Sequence, residues 1–221
     1  MLKNTNHVIE NSLTQSVGFD KDIAIQNLSD AKTILDSLGM RNWLTDGTLL
    51  GYYRENDFIA HDLDMDMGSF IEDFDKDITK RFKENGWDLL STFGKLDIGY
   101  ELSYIRNGVK LDIFFFYKEN DKYWHGAWRP IEKKGRNLIK YYYDSFGLKE
   151  VEFKGQLFNV PEDTLHYIET KYGPDWKTPQ KSWDWAFGPS NAVETDFYLK
   201  TSRNILKRIV NRIFKVLGLK L

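Results

Sequence analysis

Cysteine is absent from the 221-residue chain, which excludes disulfide frameworks and thiolate-rich zinc sites. An excess of charge of one sign is missing too. A formal net charge of -2 and a pI near 6.1 exclude a globally basic nucleic-acid binder. No stretch approaches the ~20 consecutive apolar residues needed to cross a bilayer, and residues 1–20 contain no apolar run of signal-peptide type. These absences lead to the expectation of a cytoplasmic chain, free or peripheral on the inner face of the plasma membrane.

Aromatic residues, by contrast, are plentiful: 15% of the chain, with seven Trp. Such a chain can fill a substantial core and still line a cleft with rings. Residues 1–19 have little periodicity and read as a loose lead-in. From Asp20 to Leu38 apolar residues recur at helical spacing, and Gly39 is a natural terminator. Asn42-Trp43-Leu44 reads as a short strand entering a turn at Asp46-Gly47-Thr48, and a second helix is predicted over Glu72–Glu84. The middle is β-rich, with strands predicted at Trp87–Phe93, Tyr100–Arg106, Val109–Tyr117, Tyr123–Trp128 and Glu150–Asn159. Asn107-Gly108 supplies a hairpin signal. A helix opens at Pro161-Glu162-Asp163 and runs to about Tyr172; residues 174–198 read as irregular. With no repeat and no internal boundary, residues 20–199 are expected to form one α+β domain whose mixed or antiparallel central sheet is flanked by helices.

The chemistry concentrates in His61-Asp62-Leu63-Asp64-Met65-Asp66-Met67. In a strand, alternate side chains share a face. Asp62, Asp64 and Asp66 therefore line one face, about 7 Å apart along the strand, while Leu63, Met65 and Met67 line the other. Carboxylates so placed repel one another unless a cation neutralises them. Hard oxygen ligands select Mg²⁺ or Mn²⁺, ions that also grip a diphosphate. Asp112 lies in the almost wholly apolar run Leu111–Tyr117, which reads as a central strand. A buried Asp there needs a metal, a cation or a hydrogen-bond donor. Upstream, Gly47 and Thr48 at a strand-to-helix turn could offer amides and a hydroxyl to a phosphate, and Arg54 a guanidinium fork.

The run WLTDGTLLGYYRENDFIAHDLDMDMG resembles the signature of the LicD/fukutin family, in which a GTLLG-x-x-R turn precedes an acidic D-x-D strand. The segments IGYELSYIRNGVKLDIFFFY, YWHGAW, FNVPEDTLHYIETKYGPDWKTP and KSWDWAFGPSN extend the resemblance toward the fukutin type of catalytic domain over roughly residues 28–192. The resemblance implies a nucleotidyltransferase-like fold. Its shared pattern maps to Gly47-Thr48, to Asp64 and Asp66, and to Asp112, with the three carboxylates as catalytic metal ligands. Asp62 departs from that pattern and is a candidate base or outer ligand.

The implied reaction is transfer of a phospho-alcohol (ribitol-, glycerol- or choline-phosphate) from a CDP-activated donor to a hydroxyl of a glycan or lipid-linked glycan, in cell-surface polysaccharide synthesis. Two alternatives remain. A D-x-D glycosyltransferase also grips a nucleotide-sugar, and an inactive membrane-associated module could keep the fold without the chemistry.

Outside this signature, His125 in an aromatic strand reads as a core or rim residue, and Trp176, Trp183 and Trp185 as packing within an irregular segment. Lys133, Lys134 and Arg136 read as a solvated basic turn. Residues 200–221 carry seven basic residues and no acid, with apolar residues at helical spacing, the composition of a helix lying on an anionic membrane surface.

Overall fold

The protein was analysed as a computed structural model that describes residues 19–131, 135–180 and 182–199. Asp20 caps the first helix, α1 (Lys21–Ser37), by accepting hydrogen bonds from the Asp22 and Ile23 amides. The helix buries Ala24, Leu28, Ala31, Ile34 and Leu35. Strand β1 (Asn42–Leu44) leads through Thr45 into helix α2 (Asp46–Glu55). Strand β2 (Asp64–Phe70) follows, then a 3-10 turn (Ile71–Asp73) and helix α3 (Ile78–Glu84).

Five strands form a meander: β3 (Asp88–Lys95), β4 (Ile98–Arg106), β5 (Val109–Glu119), β6 (Lys122–Ile131) and β7 (Gly135–Asp144). The hairpin β8 (Leu148–Phe153) and β9 (Gln156–Pro161), helix α4 (Thr164–Tyr172) and edge strand β10 (Ala192–Leu199) complete the described fold. The α+β architecture is as expected.

The topology of β5 positions the cleft. It pairs parallel with β2 through Lys110–Phe116 and antiparallel with β4 through Val109–Phe114. It pairs with β6 only through Tyr117–Glu119. Beyond that point β6 splays away, and pairs with β7 along its whole length. The sheet is thus mixed and forked at the C-terminal end of β5. Below the fork lies the aromatic core: Trp43 is fully buried, with ring centroids 4.6 Å from Phe70 and 4.9 Å from Phe116. Gly68 leaves room for that indole, since a Cβ there would sit 2.4 Å from Trp43 Cε2.

Several elements differ from the sequence expectation. The helix predicted over Glu72–Glu84 begins only at Ile78. Asp73 instead grips Arg41 through both carboxylate oxygens, at 2.6 and 2.9 Å, and Phe74 turns inward against Phe115. Asp75 then accepts from the Asp77 amide at 2.7 Å, a local turn that competes with the helix. The single strand predicted over Glu150–Asn159 is a hairpin turning at Lys154-Gly155, both at positive φ. Residues 192–199, read as part of an irregular segment, pair with β7. The lead-in 1–18, Lys133 and Lys134, and the basic stretch 200–221 lie outside the described residues.

Candidate active site

Strand β2 begins at Asp64, not Asp62, and Leu63 is 57% exposed, so the apolar face starts at Met65. Asp62 sits in the preceding turn. Its carboxylate nonetheless swings back to the strand: ligand oxygens of Asp62, Asp64 and Asp66 all lie within 4.8 Å of one another. These residues line a cleft of about 610 Å³ between the two arms of the fork. Gly47 makes the close approach possible, because a Cβ on it would stand 2.1 Å from Asp62 Oδ2.

Asp66 is held most firmly. Its Oδ2 accepts from the Gly47 amide at 2.9 Å and the Thr48 amide at 3.4 Å, while its own amide donates to Thr48 Oγ1 at 2.8 Å. The start of α2 thus presents its amides to a carboxylate, as the positive end of a helix favours. The two amides expected to face a phosphate are, as placed here, serving Asp66.

Asp112 lies on the neighbouring parallel strand directly beside Asp66, and Lys110 beside Asp64. Ser103 of β4 donates to Asp112 Oδ1 at 2.5 Å. Lys110 Nζ binds Asp112 Oδ2 at 2.7 Å and Asp64 Oδ2 at 3.4 Å. Asp112 therefore adjoins the three-carboxylate group across an ammonium bridge.

The electrostatics follow from this crowding. Burial, together with the nearby Asp64, pushes Asp62 up to about 8 and Asp66 well above the usual carboxylate range. Burial raises Asp112 as well, against the pull of Lys110. Burial would lower Lys110, but Asp112 and Asp64 outweigh it and hold the ammonium protonated. Carboxylate oxygens of Asp62, Asp64 and Asp66 gathered within 4.8 Å of one another are what a divalent ion would bind. The donor set is all oxygen, with one cluster face open to the cleft, so the residues fit Mg²⁺ or Mn²⁺.

Asp46, Lys171 and Glu101, which the sequence reading did not single out, complete the cleft together with His125, read there as a core or rim residue. Asp46 opens α2 in a left-handed conformation (φ 45°) and pairs with Lys171 of α4, whose side chain is also buried. Burial pushes Asp46 up, but Lys171 outweighs it and holds it below the ordinary range. His125 is 1% exposed, its Nε2 lies 3.7 Å from Asp46 Oδ1, and neither ring nitrogen has a hydrogen-bond partner. Burial depresses it to about 3, so it is neutral. Glu101 of β4, 7% exposed, also faces the cleft, and burial followed by Asp112 raises it well above the usual range.

Arg54 lines the cleft, although its guanidinium is engaged by Glu55 at 2.5 and 2.9 Å and by the Trp176 carbonyl at 3.3 Å. The Trp cluster is not packing alone: Trp176, Trp183 and Trp185 form part of the rim, and Trp185 is 47% exposed. Lys110 was findable, since two residues before Asp112 on a strand means the same face. Asp46, Lys171 and Glu101 carry no local signal.

An acidic β-strand beside a Gly-Thr helix start, with a further Asp on the adjacent parallel strand, defines a nucleotidyltransferase-like domain. The LicD/FKTN/FKRP nucleotidyltransferase domain matches residues 39–163, and the chain belongs to that family. It is 40% identical to human ribitol-5-phosphate transferase FKTN over 184 residues, 83% of this chain and 39% of that protein. Identity to the mouse FKTN protein is 44% over 162 residues, 73% of this chain and 34% of that protein. Human ribitol 5-phosphate transferase FKRP is 25% identical over 150 residues, 64% of this chain and 29% of that protein. The chain spans about two fifths of the length of the curated relatives first named here.

Proposed function

We propose that this domain transfers a phospho-alcohol from a CDP-activated donor to a hydroxyl of a glycan, using Mg²⁺ or Mn²⁺. The observation that carries the reading is the clustering of Asp62, Asp64 and Asp66 within 4.8 Å at the foot of a cleft, next to the start of α2. The name of the FKTN relatives, ribitol-5-phosphate transferase, supports a phospho-alcohol as the group transferred, and the CDP donor rests on the family resemblance. Asp64 and Asp66 are the metal ligands common to the family pattern and to this cluster. Asp62 completes the cluster, and Asp112 stands beside it. A bound divalent ion would neutralise the diphosphate and the CMP that departs.

The chain's own groups account for the rest. The acceptor oxygen forms a bond to the phosphorus that carries the alcohol, the bridging P–O bond breaks, and CMP leaves with its electron pair. Lys110, Lys171 and Arg54 supply positive charge for the phosphate oxygens, with Arg54 exchanging Glu55 for phosphate. Gly47 and Thr48 hold Asp66 and border the phosphates. Asp62, next to the reacting group, is the proposed acceptor of the hydroxyl proton. Residues 200–221 are proposed to bring the enzyme to an anionic cytoplasmic membrane face, where a lipid-linked glycan would wait.

The test incubates the chain with Mg²⁺ or Mn²⁺ and a panel of CDP-alcohols and nucleotide-sugars, and follows nucleotide release. CMP release that is lost in an Asp64→Ala/Asp66→Ala variant is expected. Release of UDP or GDP from a sugar donor, with none of CMP, would overturn the reading. Liposome binding unchanged by deletion of residues 200–221 would remove the membrane role. Among the described residues, no helix is long and apolar enough to cross a membrane.

A further inference from the structure

Two basic side chains face one carboxylate oxygen at the floor of the cleft, and only one of them is bonded to it. Asp46 Oδ1 accepts from Lys171 Nζ, while His125 Nε2 stands 3.7 Å from the same oxygen. That gap is about 0.8 Å longer than an N–H···O bond. His125 is 1% exposed and lines the cleft, and among the described residues neither ring nitrogen has a hydrogen-bond partner. Buried polar groups in native proteins are almost always paired, so a donor this deep calls for an acceptor.

The surroundings of His125 point it at Asp46. Phe114, Phe116, Tyr141 and Tyr143 enclose the imidazole, with ring centroids 4.7 to 5.9 Å away. Closing the gap takes a small shift within this sleeve. Asp46 itself has little freedom to seek another partner. It opens α2 at φ 45°, and the next residue, Gly47, donates its amide to Asp66 at 2.9 Å. Thr45 Oγ1 reaches the Asp46 carboxylate only at 3.5 Å.

Lys171 lines the cleft too, and Asp46 is near enough to Asp62 and Asp66 to act on both electrostatically. A phosphate group in this part of the cleft therefore competes with Asp46 for the Lys171 ammonium. Losing that ammonium outright would strand a buried carboxylate, which is strongly unfavourable. A neutral imidazole keeps one N–H, and one is enough to replace the lost donor.

We propose that His125 is a positioning residue that takes over Asp46 when Lys171 turns to a phosphate of the substrate. The exchange keeps the start of α2 in place, and with it Gly47 and Asp66. It deepens the phosphotransfer reading, resting on the phosphate contact given there to Lys171 and not on the identity of the alcohol.

The test uses magnesium pyrophosphate as the probe on the full chain, with binding followed by calorimetry and the histidine ring nitrogens by ¹⁵N-resolved NMR. In the wild type the probe should move the His125 Nε2–H proton downfield and slow its exchange with water, as a bond to a carboxylate does. His125→Phe should weaken pyrophosphate binding about tenfold or more. His125→Gln, whose amide N–H falls near the Nε2 position, should recover most of that loss. In an Asp46→Asn background Lys171 has no carboxylate to abandon, so adding His125→Phe should change binding by less than about twofold. Thermal unfolding checks that each variant is folded, and the wild-type spectra decide the matter if His125→Phe is not.

A Nε2–H signal unmoved by saturating probe overturns the exchange. So does wild-type affinity in folded His125→Phe, or an equal loss with and without the Asp46 carboxylate, which is what a structural histidine would give. A folded wild type that does not bind pyrophosphate overturns it as well. Absence of CMP release from every CDP-alcohol, with the binding results as expected, is a different failure: it removes the phosphotransfer reading and leaves the exchange supported.

Discussion

Crowding of carboxyls around Asp62 makes the stability of the metal-free domain fall as pH rises through neutrality. Asp62 is held at about 8 against 3.8 for an ordinary Asp. Between those values the folded chain keeps a proton that the unfolded chain has released, so each pH unit upward costs about 1.4 kcal/mol per retained proton. His125 works in the opposite sense. Held near 3 instead of 6.5, it loses stability for the fold as pH falls below 6.5. The window from pH 6.5 to 8 therefore isolates the carboxyls.

Across that window Asp62 alone contributes a loss of about 2 kcal/mol, or roughly 4–8 °C in Tm for a domain of this size. Asp66, also raised well above the usual carboxylate range, acts in the same direction. A divalent cation displaces those protons and should restore the lost stability at pH 8 while adding less at pH 6.5. The assay is thermal unfolding in EDTA, in Mg²⁺ and in Mn²⁺ at both pH values. A Tm in EDTA that is flat or rising from pH 6.5 to 8, or a cation effect of equal size at the two, would refute the reasoning.

Three further outcomes follow from single side chains. Gly47→Ala places a Cβ 2.1 Å from Asp62 Oδ2, so Asp62 must turn away. Mn²⁺ affinity by calorimetry should fall about tenfold or more, with a stability cost of about 1–3 kcal/mol. Lys171→Met leaves the buried Asp46 carboxylate unpaired and should cost about 3–5 kcal/mol in urea unfolding. Most of that should return in the Lys171→Met/Asp46→Asn double variant, and a double variant no better than the single would deny the ion pair its role. His125→Phe replaces two unpartnered nitrogens among Phe114, Phe116, Tyr141 and Tyr143 by carbon. At pH 5 it should spare about 2 kcal/mol that the wild type loses to protonation of the unfolded chain. An unchanged Tm difference between pH 7 and pH 5 would contradict this.

Local pattern made much of the fold readable. Helical periodicity marked α1 and the apolar run marked β5; α4 was expected to open at Pro161, but Pro161 ends β9 and the helix starts at Thr164, capped by Asp163. The acidic strand was legible because alternation puts every second residue on one face. What escaped depends on partners distant in sequence. Asp73 left the predicted helix for Arg41, and residues 192–199 became a strand because β7 offers an edge. In the site, Lys171 reaches Asp46 across 125 positions of chain. Glu101 enters the cleft only through the pairing of β4 with β5. Asp62 belongs to the cluster although the strand that would have aligned it starts two residues later.

The fork at β5 bears on how substrates come and go. Both walls of the cleft hang from one hydrogen-bonded sheet, joined at Tyr117–Glu119. Spreading them apart would break the β5–β6 ladder that joins them, so among the described residues the cleft has no inter-domain hinge with which to admit the proposed donor. Traffic must pass the rim, where Trp176, Trp183 and Trp185 sit on a stretch with few regular backbone hydrogen bonds. Such segments open locally at low free-energy cost. Residence time of the nucleotide is then a property of this aromatic rim, and turnover can be tuned there without disturbing the carboxylates beneath.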